Sequence, residues 1–138
     1  MVRALLAVAL LVSACGDDLC AATGCPGELP DAMPGWPQER TFHLPTGALL
    51  EAGLDMRRGD SFDLAFESDG GPVVWDIHIH DGDDIRTDAQ GTDEEGMLTF
   101  VAPETGTYWS SWLNFQPTVL EVRVSFTGHG STEFRGWL

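Results

Sequence analysis

Three stretches of strict alternation limit the fold more than any other feature of this chain. In Ser61–Glu67 the apolar side chains Phe62, Leu64 and Phe66 alternate with Asp63, Ala65 and Glu67. Val73–His80 sets Trp75, Ile77 and Ile79 against Asp76, His78 and His80, and Thr118–Phe126 sets Leu120, Val122, Val124 and Phe126 against Glu121, Arg123 and Ser125. A period of two puts every apolar group on one side of an extended chain, so each stretch reads as a strand with one dry and one wet face. Asp69-Gly70-Gly71-Pro72 and Pro103-Glu104-Thr105-Gly106 are turn signals between such runs. Met97–Ala102 and the aromatic-rich Thr107–Phe115 read as further strands, and Arg40–Leu44 and Thr132–Trp137 as edge strands. No segment beyond the N-terminal apolar run holds a helical period. Half-wet strands must bury their dry faces against a second layer, and the pattern predicts an all-β, antiparallel β-sandwich.

The N-terminus is of a different kind. Arg3 precedes an apolar run from Ala4 to Val12, followed by small residues and a cysteine. A charged start, a short apolar core and a small-residue exit make residues 1–14 a secretory signal, and the run is too short for a spanning helix. Val12-Ser13-Ala14-Cys15 resembles the bacterial lipobox. That resemblance implies diacylglycerol on the Cys15 sulfur, cleavage after Ala14, and acylation of the new amino group by a chain such as palmitate. It implies a lipoprotein of the bacterial cell envelope, anchored to the inner or outer membrane, with its domain in the periplasm or at the cell surface. In the familiar sorting rule an aspartate at position two retains a lipoprotein in the inner membrane. Here Gly16 holds that position and Asp17 and Asp18 follow, so the signal is displaced by one. The competing reading is an ordinary cleaved signal that leaves Cys15 free.

Cysteine usage agrees with the lipid reading. Three cysteines would leave one thiol unpaired in an exported protein. With Cys15 lipidated, Cys20 and Cys25 remain, separated by Ala-Ala-Thr-Gly, and are expected to close a small disulfide in an oxidising compartment. A metal site on these two thiols has no further cysteine to complete it. Residues 16–39 carry four prolines and four glycines, so residues 15–39 read as a lipidated tether. Residues 40–138, about a hundred, suffice for one core.

Charge narrows the partners. The chain has 7 basic and 22 acidic residues and a net charge of −15, and every basic residue is arginine. Arg3 is the only charge ahead of Cys15, so the cleaved chain keeps 6 basic against 22 acidic groups, net −16. Such a field repels phosphate backbones and argues against nucleic-acid binding, while it attracts cations.

Arg58-Gly59-Asp60 before a strand, V-x-W-x-I at Val73–Ile77, a polar variable loop, and F-x-A-P-x-x-G-x-Y at Phe100–Tyr108 form a set. With Asn114 ending the next strand and a final V-x-V strand, this set resembles GOLD-like sandwiches over Gly59–Gly128. The motifs are turn and core motifs, shared with other secreted sandwiches. The resemblance implies a GOLD-like or jelly-roll-like fold and, for GOLD domains, protein–protein contacts near membranes. It brings no catalytic residues.

Three groups are candidates for chemistry. In Asp76-Ile77-His78-Ile79-His80-Asp81, residues two apart on a strand point the same way about 7 Å apart. His78 and His80 therefore share a face, where two imidazoles suit zinc or copper, with Asp76, Asp81, His43 or His129 as further donors. The plainer reading leaves both histidines solvated or hydrogen-bonded on a wet face while Trp75, Ile77 and Ile79 fill the core. The acidic run Asp81–Glu95 holds many carboxylates but lacks the EF-hand spacing, and a solvated loop is expected rather than a calcium site. Tyr108 and Trp112 alternate with Trp109 and Phe115. One set is expected in the core and the other on the surface, as a platform for a sugar ring or a protein.

Catalytic signatures are missing. There is no G-x-S-x-G elbow and no H-E-x-x-H, and Ser110 and Ser111 lie in a strand without a glycine turn to expose them. The sequence thus reads as a non-catalytic, lipid-anchored β-sandwich that recognises an envelope protein or polymer. The alternative is an envelope zinc- or copper-binding protein built on His78 and His80.

Overall fold

The computed structural model describes residues 35–138, and Cys15, Cys20 and Cys25 lie outside them. Nine strands follow in chain order: β1 (Gln38–Leu44), β2 (Leu49–Met56), β3 (Ser61–Asp69), β4 (Val73–Asp81), β5 (Asp84–Asp93), β6 (Glu95–Val101), β7 (Gly106–Leu113), β8 (Leu120–His129) and β9 (Glu133–Trp137). They form a four-stranded sheet in the order β1-β8-β3-β6 and a five-stranded sheet in the order β5-β4-β7-β2-β9. Every pairing is antiparallel. Only the β4–β5 hairpin stays within one sheet; every other connection passes from one sheet to the other. The fold is a β-sandwich, and no described residue is helical.

The alternating sets form its interior. Phe62, Leu64 and Phe66 from β3 and Leu120, Val122, Val124 and Phe126 from β8 are buried against Leu50, Ala52, Leu54 and Met56 from β2. Tyr108 and Trp112 from β7 and Val73, Ile77 and Ile79 from β4 complete that layer. Aromatic rings carry the contact between sheets: Trp112 meets Phe126 at 6.0 Å and Phe66 at 6.3 Å between ring centroids, and Phe100 meets Tyr108 at 5.1 Å. Side chains of this size contribute about 1.5–3 kcal/mol each on full burial.

Two segments depart from the sequence reading. β2 is absent from the sequence reading, because Ala52 and Gly53 dilute its apolar alternation. The run Asp81–Glu95, expected as a solvated loop, contains β5, which pairs with β4 from Asp81↔Asp84 to Val73↔Asp93. Its side chains are almost all exposed, so no dry face marked it as a strand. The register shifts between Ile77↔Ala89 and His78↔Thr87, leaving Asp88 as the extra residue of a bulge. The folded part also starts slightly earlier than residue 40: β1 opens at Gln38, and Trp36 packs edge-on against Phe134 at 6.1 Å.

Two polar knots close the ends. Asp60, before β3, accepts from the Arg57 amide (2.8 Å), the Ser131 amide (3.1 Å) and the Ser131 hydroxyl (2.7 Å). The Ser131 hydroxyl above all, with the two amides, holds the Asp60 carboxyl below its usual range. Gly130 makes this approach possible: it adopts φ +74°, and a Cβ there would collide with the Asp60 carboxylate. At the opposite end Asn114, fully buried, donates from Nδ2 to the carbonyls of Leu44 (2.7 Å) and Thr118 (2.9 Å). Its Oδ1 accepts from the Gln116 amide at 2.7 Å. One side chain thus ties the end of β1 to the β7–β8 connection.

Asn114→Ala strands those three backbone groups and is expected to cost about 2–4 kcal/mol of stability, seen as a lower urea midpoint at unchanged slope. A loss under about 0.5 kcal/mol would contradict the role given to this residue.

Candidate functional site

The outward face of the five-stranded sheet gathers most of the residues singled out for chemistry. Because Ile77 and Ile79 point inward, Asp76, His78 and His80 point outward from β4. Because Tyr108 and Trp112 point inward, Trp109 and Ser111 point outward from β7. Register then decides which of them meet: Asp76 lies opposite Ser111, and His78 opposite Trp109. Trp109 in turn lies opposite Gly53 of β2.

Asp76 organises the centre of this face. Its Oδ1 lies 2.8 Å from His78 Nδ1 and accepts from the Ser111 hydroxyl at 2.6 Å. A carboxylate shared in this way is an acceptor only, so the hydrogen-bond network assigns the proton of the neutral imidazole to Nδ1. The His78 Nε2 lone pair is then free. The His78 side chain is 94% buried and its Nε2 makes no hydrogen bond among the described residues, yet Nε2 is not one of the fully enclosed atoms without a partner, which are Ser110 Oγ and Trp112 Nε1. The plainer expectation of histidines solvated or hydrogen-bonded on the outer face divides between the two: His78 is bonded to Asp76 and flanked by Trp109 and Thr87 from both neighbouring strands. His80 is exposed. Its ring centroid lies 5.2 Å from that of His78 and 6.4 Å from Trp109, edge-on to the indole.

Trp109 owes its seat to a glycine. A Cβ on Gly53 would stand 2.9 Å from the indole Cζ3, so the ring can lie across β2 only because that side chain is missing. Beyond it, Asp55 accepts from the Thr107 hydroxyl (2.5 Å) and pairs with Arg135 (3.4 Å). A depression of about 460 Å³ opens here, bounded by His80, Asp81, Glu104, Thr107, Trp109 and Arg135. Glu104 is also held at 2.5 Å by Arg86, which the carboxylates of Asp88 and then Glu104 keep more firmly protonated than usual.

The other expected residues lie elsewhere. Tyr108 and Trp112 are fully buried core side chains and offer nothing to a surface ligand. Burial also raises the Tyr108 phenol above its ordinary value. Phe115, just past β7, is exposed. Asp81, the last residue of β4, stays with the face on the rim of its depression. Neither His43 nor His129 approaches the pair: His43 lies on β1 of the opposite sheet, 4.0 Å from Glu121. His129, on β8, bonds Asp63 at 2.7 Å. The Thr99 hydroxyl first, and then His129, hold the Asp63 carboxyl below its usual range. Among the described residues no group of three or more His, Cys, Asp or Glu side chains is arranged to hold a metal ion.

Ser111, Gly53 and Arg135 are the parts of the face that sequence reading did not supply, since each joins it through strand register. The Ser111-Asp76-His78 order differs from that of a serine triad: the carboxylate stands between hydroxyl and imidazole, so no imidazole faces the Ser111 oxygen. A larger concavity of about 850 Å³ lies on the four-stranded sheet, among Glu39, Thr41, Ala65, Glu67, Met97 and Arg123. It holds no histidine, and its polar rim is of surface ion pairs such as Arg123–Glu67 (3.9 Å). No protein-family model matches the chain, and no curated protein matches it.

Gly53→Ala is expected to destabilise the fold by about 1–3 kcal/mol through collision with the indole. That cost should largely vanish in a Trp109→Ala background. An equal cost in both backgrounds, measured by urea unfolding, would show that Trp109 is not what Gly53 accommodates.

Proposed function

We propose that this chain is a non-catalytic, lipid-anchored recognition module of the bacterial cell envelope, binding a protein or polymer through the outer face of its five-stranded sheet. The observation that carries the reading is Trp109, laid across Gly53 at the edge of a polar depression with His80 beside it. An indole is a large, stiff surface with an apolar face and one polar edge, which suits it to sugar rings and to protein side chains alike. Charged groups surround it as a rim: Asp81, Glu104 and Arg135. Lipid on Cys15 and a Pro/Gly-rich tether would keep this face near the membrane while leaving it free to turn. The GOLD-like resemblance over Gly59–Gly128 argues the same way, since it implies contacts between proteins near membranes. Zinc or copper binding, the second reading of the sequence, draws on the neighbouring histidines and is taken up below.

The test is a photo-crosslinking residue in living cells, placed at Leu113 on the proposed face or at Thr99 on the opposite sheet. Adducts are expected from position 113, reduced at least fivefold by Trp109→Ala. The Cys15→Ser variant should leave the membrane fraction. Adducts that form chiefly from position 99, or that ignore Trp109→Ala, would reject the face. Membrane retention without Cys15 would reject the anchor.

A further inference from the structure

His78 and His80 carry features that recognition by Trp109 does not use. We propose that the two imidazoles form a site for one divalent transition-metal ion, copper in preference to zinc, with Asp76 and Ser111 holding His78 in its coordinating tautomer.

Separation comes first. An imidazole binds such an ion at about 2.0–2.1 Å through one nitrogen, and its ring centre lies roughly 1 Å further back. Two rings bound to one ion therefore have centres about 4.5 Å apart at the right angle of a tetragonal site and about 5 Å apart at a tetrahedral angle. The centroids of His78 and His80 are 5.2 Å apart. Fully extended i and i+2 positions stand about 7 Å apart, so the rings lean together relative to their backbone spacing.

Orientation comes second. Metal-binding histidines commonly donate their other ring N–H to a carboxylate, which fixes the tautomer and raises ligand basicity. Asp76 stands in that place against His78 Nδ1, and the Ser111 hydroxyl fixes the carboxylate in turn. His78 is enclosed and cannot swing away, while His80 at the surface supplies an accessible second donor. The surroundings add negative charge: Asp76 and Asp81 on the same strand and Glu104 from the β6–β7 turn, against Arg135 of β9 and the Arg86 of β5 that pairs with Glu104. Such a field gathers cations.

The choice of metal follows from what the site lacks. The described residues bring no third side-chain donor to the pair, so water or an incoming ligand fills the remaining positions. A protein selects against the stability order of the divalent ions by imposing geometry. Two imidazoles impose little, and copper(II) should therefore bind ahead of zinc.

The experiment uses the full-length chain in detergent, without a histidine tag and with its thiols alkylated so that cysteine cannot bind metal. Calorimetric titration with copper(II) should give one equivalent, bound at least tenfold more tightly than zinc. Electron paramagnetic resonance should show two imidazole nitrogens on the copper. His80→Ala, at an exposed position where folding is not at stake, should leave one nitrogen and weaken binding at least tenfold. Asp76→Asn should weaken it about 10–100-fold, and His43→Ala should change nothing. Absence of a stoichiometric site in the parent, parent-like affinity in His80→Ala or Asp76→Asn, loss in His43→Ala, or zinc bound as tightly as copper would each overturn the proposal.

Discussion

Everything on the surface of this protein depends on the closure of two sheets over one aromatic layer. Phe126 stands in its middle, 5.5 Å from Phe62 on its own sheet and 6.0 Å and 5.7 Å from Trp112 and Trp137 on the other. With a strict period of two, committing one set of side chains to this layer commits the other set to the outside. Burying Tyr108 and Trp112 is what presents Trp109 and Ser111. Burying Ile77 and Ile79 is what presents Asp76, His78 and His80. A slip of one residue in either strand would exchange the core for the site.

On that outer face the electrostatics are local. His78 loses almost all contact with water, a loss that an imidazole tolerates only with a partner. Asp76 supplies one, and Ser111 keeps Asp76 in place. An apolar residue at position 78 would leave the Asp76 carboxylate with Ser111 alone, and losing one partner of a shared hydrogen bond costs stability. The network leaves Nε2 bare beside a second imidazole and an indole seated on glycine. The same reasoning separates this face from the broader hollow on the four-stranded sheet, where charges meet across solvent and no side chain is held in an unusual state.

Much of the architecture was legible in the chain. Wherever one face was dry and the other wet, as in β3, β4 and β8, alternation identified the strand and its inward side chains. β5 escaped because both its faces are wet: its pairing is carried by backbone hydrogen bonds to β4, which leave no mark on side-chain polarity. β2 escaped because Ala52 and Gly53 are weak strand residues in isolation, yet Gly53 is there for Trp109. Placing His78 and His80 together needed only the i, i+2 rule. Finding Ser111 behind Asp76, or Arg135 near Trp109, needed cross-strand register, which depends on turn geometry and packing over the whole sandwich. Register also keeps His43 and His129 away from the pair, an outcome invisible from their positions in the sequence.

The shared carboxylate of Asp76 is the centre of this account, and the protonation of one ring nitrogen tests it most directly. Nitrogen-15 NMR of the imidazoles near neutral pH, without metal, distinguishes the two tautomers of a neutral histidine. The account requires the His78 proton on Nδ1, with Nε2 bare and available. A proton on Nε2 would mean that Asp76 does not hold the ring as described, and the outer face would then be an ordinary wet surface.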